Sequence, residues 1–183
     1  MGIDDSKLTG ERILVVGAFF RGGIWLDGIV SGYVTRDGMD ATDSLSGLIT
    51  GSKYHGQIRV VMLDGVTYAG FNPVDIVELS RKTGVGVIVL LRDYPDMEGM
   101  GNAALHLPFP EKRMSMILRA GEIRAVVTKD PEKPVYMQCA GIGPDQAAKI
   151  IKLTATHGNI PEPLRVAHII ATGIVCGETC GRV

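Results

Sequence analysis

Apolar and polar positions follow two periods along this chain, near two in some segments and near 3.6 in others. Arg12 to Phe20 (RILVVGAFF) is a β-branched and aromatic run. Trp25 to Thr35 (WLDGIVSGYVT) alternates apolar with small or polar residues, as a half-buried strand does. Arg21-Gly22-Gly23 between them is a strong turn signal, so the pair predicts an antiparallel hairpin. Leu45, Leu48 and Ile49 fall at helical spacing and predict a short helix over Asp40 to Thr50, with Asp40, Thr42 or Asp43 as its cap. Ile58 to Leu63 is nearly continuous in apolar residues, the pattern of a strand covered on both faces. Val74, Ile76, Val77 and Leu79 predict a helix over Pro73 to Lys82, opened by Pro73 and stopped by Gly84. Val85 to Leu91 predicts a second buried strand, parallel to the first through a right-handed crossover.

Arg92 to Asn102 turns to Asp, Pro, Gly and Met and reads as a loop. Helices are predicted over Glu111 to Ala120, Asp145 to His157 and Leu164 to Cys176, and strands over Ala125 to Thr128 and Val135 to Gln138. No repeat, low-complexity tract or linker divides the chain, so one domain over residues 1–183 is expected.

At 183 residues, 45% hydrophobic with 24 glycines, the composition suits a rigid α/β fold that needs no metal or disulfide staple. Nineteen basic against twenty acidic side chains leave a net charge of −1, so contact with a polyanion requires a local patch. Three cysteines, Cys139, Cys176 and Cys180, lack a repeated metal spacing and point to free thiols in a reducing compartment. The polar N-terminus and short apolar runs give neither a signal peptide nor a membrane span, and a cytoplasmic location is expected.

The candidate chemistry lies in carboxylates at element borders: Asp4-Asp5 in MGIDDS, Asp37, Asp40 and Asp43 in TRDGMDATD, and Asp64 at the end of the apolar run Ile58 to Leu63. Asp-Gly turns and helix caps account for any one of them alone. Brought together, such carboxylates hold magnesium, which takes oxygen ligands and keeps waters and phosphate positions open.

A hairpin, a helix, a central strand ending in Asp, a helix and a parallel strand is also the order of a ribonuclease H-like mixed sheet flanked by helices. MGIDDS, LDG at 63–65 and IPEPLRVAH at 160–168 resemble segments of endonuclease V. The GIDD, DGMDAT, LDGVTYAGFN and PEPLRVAH segments, in this order over essentially the whole chain, are more similar still to a formerly uncharacterised archaeal family of endonuclease V-like proteins.

The resemblance implies a magnesium- or manganese-dependent (Mg2+ or Mn2+) endonuclease that cleaves DNA or RNA at a deaminated or damaged base, in nucleic-acid repair. By matching positions, Asp4 and Asp64 are catalytic metal ligands. The family's third carboxylate, a Glu, has Asp40 as its nearest counterpart here and Asp37 as the next. Arg92 stands where endonuclease V carries a Lys near the phosphates. Tyr68 and Phe71, on the loop after Asp64, are placed to stack on a base, and Asn72 to bond a base edge.

Two departures stand out. Ile142 occupies the position of a catalytic His, leaving His168 or His157 as spatial substitutes, and Met1-Gly2-Ile3 predicts a stunted first strand before Asp4. Both favour an alternative, a catalytically weak nucleic-acid-binding or partner-binding module on the same fold. A small-molecule phosphohydrolase acting on a nucleotide is a third. Exposed apolar edges would support a homodimer, although nothing in the pattern requires one.

Overall fold

The computed structural model describes residues 1–181. β1 (Gly2–Asp5) runs antiparallel to β2 (Arg12–Arg21), which turns through Gly22 and Gly23, both at positive φ, into antiparallel β3 (Trp25–Thr35). α1 (Ala41–Thr50) leads to β4 (Val60–Asp64), which lies parallel to β1. Two-residue strands β5 (Thr67–Tyr68) and β6 (Asn72–Pro73) form a small separate hairpin before α2 (Ile76–Thr83), and β7 (Gly86–Leu91) then pairs parallel with β4. After α3 (Met97–Ala104) and α4 (Pro110–Leu118), β8 (Arg124–Val126) and β9 (Val135–Ala140) complete the sheet, followed by α5 (Pro144–Thr154) and α6 (Glu162–Cys176). The seven-stranded order is β3-β2-β1-β4-β7-β9-β8, with β1 and β4 side by side in its interior. Among the described residues, no helix is long and apolar enough to cross a membrane.

Strand alternation divides the core. Ile3, Val61, Leu63, Val87 and Val89 point into the layer of α1, α2 and α4, while Met62, Ile88 and Leu90 pack under α5 and α6 with Ala147, Ile151 and Leu164. Gly2 and Asp4 are therefore on the α6 side. A Cβ on Gly2 would come 2.3 Å from the Pro163 carbonyl carbon, so only glycine admits the start of α6 this close to β1. The first strand has just four residues, yet it is paired on both edges, and the Met62 N–H extends the ladder by donating to the Met1 carbonyl at 2.8 Å.

Two local expectations need correction. Pro73 belongs to β6, and α2 starts at Ile76 behind Asp75, whose side chain accepts from the Glu78 N–H at 3.0 Å. The segment expected as a loop contains α3, capped by Asp96 accepting from the Gly99 N–H at 2.9 Å. Cap geometry outweighs the glycines here.

Arg113 on α4 is buried. It is 2% exposed, and its guanidinium donates to the carbonyls of Pro108, Gly38, Phe71 and Asp37. Asp37, at φ 49°, accepts in turn from the Phe71 N–H at 2.8 Å. The acidic loop before α1 is thus tied to the β5–β6 hairpin and to α4.

Candidate metal centre

Asp4 lies on β1 and Asp64 at the C-terminal end of β4, and both point to the α6 side, where His168 reaches down from the helix. One ligand atom from each of these three residues lies within 4.8 Å of the other two. They line a cleft of about 790 Å3 together with Asp5, Lys7, Arg92 and Asp93. Parallel neighbouring strands produce the pair directly, since Gly2 is in register with Met62 and Ile3 with Leu63. Two residues further along each strand, alternation brings Asp4 and Asp64 to the same face.

Each carboxylate already has a nitrogen partner, Arg92 for Asp64 and His168 for Asp4. Asp64 Oδ2 accepts from Arg92 Nη2 at 2.9 Å. Asp4 Oδ2 is 2.8 Å from His168 Nδ1, and Asp4 Oδ1 accepts from the Asp5 N–H at 2.8 Å. His168 Nε2 lies 3.0 Å from the Cys180 carbonyl. The Cys180 carbonyl can only accept, so Nε2 carries a hydrogen and Nδ1 is left to Asp4. The hydrogen bond to Asp4 raises the His168 pKa above 6.5. Burial raises the Asp4 pKa, outweighing the hydrogen bond from His168, and the Asp64 charge adds to the rise. Burial, with Asp4 as neighbour, lifts Asp5 to about 6, and its carboxylate accepts from the Ala69 N–H.

The donor set suits a divalent ion. One oxygen from each carboxylate lies within 4.8 Å of the other, close enough that both would reach one ion at about 2.1 Å with little closure. The two carboxylates are the hard ligands that magnesium and manganese prefer. His168, bonded to Asp4 Oδ2 through Nδ1, acts on Asp4 as an orienting partner.

Asp40 is not part of this group. Its carboxylate accepts from the Thr35 hydroxyl at 2.9 Å and the Asn72 side-chain amide at 2.6 Å, and these bonds hold its pKa below 3.8. Asp37, the next choice, is tied to Phe71. The expected base contacts change as well. Tyr68 is 1% exposed and donates its hydroxyl to the Ile3 carbonyl at 2.7 Å, while fully buried Asn72 also bonds the Thr35 carbonyl and the Ala41 N–H. Neither presents a face to a ligand. Phe71 remains partly exposed and lines a separate apolar cavity.

Of the two spare histidines, His157 pairs with Glu162 at 3.1 Å, outside the cleft. Ile142 is half-buried and packs against the core beneath α5 and α6, outside the cleft. His168, 164 residues from Asp4, had no local signal beyond the PEPLRVAH resemblance. Lys7 sits just past β1, and no motif in the sequence marks it. The Cys176 and Cys180 sulfurs are 3.0 Å apart as free thiols.

The profile of the endonuclease dU family matches residues 1–175. A UPF0215 protein of Methanosarcina acetivorans is 53% identical over 182 residues, covering 100% of this chain and 93% of that protein. The crystal structure of a protein of unknown function from Archaeoglobus fulgidus superposes with a TM-score of 0.86 at 38% identity, over 94% of this chain and 95% of that one. Endonuclease V of Ciona intestinalis, solved with a 24mer DNA containing an inosine followed by a ribo-adenosine, has a TM-score of 0.63 at 16% identity, over 96% of this chain and 85% of that one. That likeness shows the ribonuclease H-like fold.

Proposed function

The chain belongs to the endonuclease dU family, and from that premise we propose that it is a magnesium- or manganese-dependent endonuclease cleaving a phosphodiester in DNA or RNA that carries a deaminated or damaged base. The observation that carries this reading is the pairing of Asp4 and Asp64 in one open cleft with cationic Arg92 and Lys7 at its wall. Asp4 and Asp64 hold the ion. When bound, the ion supplies charge neutralisation at the scissile phosphate and acidity for hydrolysis.

The remaining side chains prepare that chemistry. His168 keeps Asp4 Oδ2 oriented while Oδ1 is fixed by the Asp5 N–H. Arg92, held by Asp64 at the cleft wall, would meet a phosphate oxygen there. Lys7 adds the second positive charge on the same cleft. A net charge of −1 overall leaves these two residues to attract the polyanion.

The test uses oligonucleotides containing uracil or hypoxanthine, as DNA and as RNA, with Mg2+ or Mn2+. Metal-dependent nicking that falls by roughly a hundredfold or more in Asp64→Asn supports the enzyme. Binding without nicking in either metal supports the alternative of a weakly catalytic nucleic-acid-binding module, which the position of Ile142 outside the cleft favours.

A further inference from the structure

A second cavity, of about 450 Å3, adjoins the acidic cleft, and the two share Gly65 and Leu91. Its volume falls in the range of small-molecule sites. Val66, Phe71, Met97, Met100 and Ile117 make much of its wall apolar, and Gln138 interrupts them. Gln138 on β9 lies opposite Val89 on β7, so it belongs to the sheet face turned away from α6. A nucleotide with its phosphate in the cleft can therefore send its base over the sheet end into this cavity.

Gln138 is 6% exposed, and its amide nitrogen donates to the Gly121 carbonyl at 2.8 Å. Gly121 sits at φ +81° in the turn closing α4, with its own N–H donating to the Leu118 carbonyl at 3.1 Å. That turn fixes which way round the carboxamide lies, because a flip would set its oxygen against the Gly121 oxygen. Among the described residues none donates to Gln138 Oε1, and that oxygen is not sealed from solvent. The cavity wall thus holds an amide that cannot exchange its donor and acceptor ends.

Deamination exchanges those ends on a base. Cytosine presents a ring nitrogen acceptor beside an amino donor, and uracil presents a ring N–H beside a carbonyl. Adenine and hypoxanthine differ in the same way. We propose that Gln138 selects the deaminated base: Oε1 accepts its ring N–H, and the second amide hydrogen on Nε2 donates to its carbonyl. The parent base meets donor against donor and acceptor against acceptor, and the Gly121 bond prevents Gln138 from turning to suit it. This inference rests on the cleft being the site of phosphodiester cleavage.

The experiment compares oligonucleotides carrying one uracil, N3-methyluracil or cytosine, nicked in Mn2+ by the wild type and by Gln138→Met. The wild type should prefer uracil over both others by roughly tenfold or more, and Gln138→Met should bring the three rates within about threefold of each other. Its Mn2+-induced rise in Tm should match the wild type, which checks that the variant folds with its metal centre intact. Equal wild-type nicking of uracil and N3-methyluracil overturns the proposal without reference to any variant. So does a folded Gln138→Met that keeps the wild-type preference, and both results leave the endonuclease reading standing. A wild type that nicks no deaminated substrate overturns both.

Discussion

Asp40 accepts hydrogen bonds from the Thr35 hydroxyl and the Asn72 amide, whereas Asp64 accepts from the Arg92 guanidinium at the wall of an open cleft. The same functional group builds a loop in one place and keeps a charge available in the other. Arg113 completes the loop that Asp37 and Asp40 begin, donating to four carbonyls from one buried cation. Arg113→Met keeps the length and removes every donor, so four carbonyls lose a charged partner at once. Urea unfolding of this variant should show a loss of about 3 kcal/mol or more. A loss under about 1 kcal/mol would mean that the loop is held by other contacts. Residue-level chemistry was only partly legible in the sequence. Asp4 and Asp64 stand at strand positions that their neighbours announce, but whether Asp40 joins them depends on hydrogen bonds from residues 5 and 32 positions away.

At the scale of elements, the decisive contact is α6 against β1. Gly2 lets the backbone at Pro163 approach, and the helix then carries His168 onto Asp4. Glu162 anchors the first turn of that helix: its buried carboxylate accepts from Arg165, also bonds His157, and lies at the helix N-terminus, where negative charge is favourable. The Arg165 hydrogen bond, then that of His157, holds the Glu162 pKa below 4.5. A depressed folded pKa contributes stability that is present above about 4.5 and is lost as pH falls through the folded value. Glu162→Gln should therefore be less stable than wild type by about 1 to 2 kcal/mol at pH 7, and the gap should narrow on acidification below 4.5. Chemical unfolding at the two pH values checks it, and a gap that widens in acid would contradict the assignment. The interior strands β4 and β7 were legible because buried β-runs are continuous in apolar residues. α3 was not, because its glycines and methionines hide a helix whose start is fixed by the Asp96 side chain.

Over the whole molecule, the sheet order places β1 beside β4 and so determines which carboxylates meet. The order of hairpin, helix, Asp-terminated strand, helix and parallel strand foretold this ribonuclease H-like arrangement, but no local pattern gave the 164-residue span between Asp4 and His168. Closure of that span depends on both ends of the chain meeting on one sheet face. The near-neutral total charge likewise conceals a local arrangement, with acidic Asp4, Asp5 and Asp64 in the cleft and basic Lys7 and Arg92 around them. Calorimetric titration of Mn2+ into the metal-free wild type, Asp4→Asn, Asp64→Asn and Asp40→Asn tests the central claim, that β1 and β4 supply the metal ligands and the loop before α1 does not. The wild type and Asp40→Asn should bind with similar affinity, and Asp4→Asn and Asp64→Asn should each weaken binding by roughly tenfold to a hundredfold or more. Equal loss in Asp40→Asn, or unchanged binding in Asp64→Asn, would contradict it.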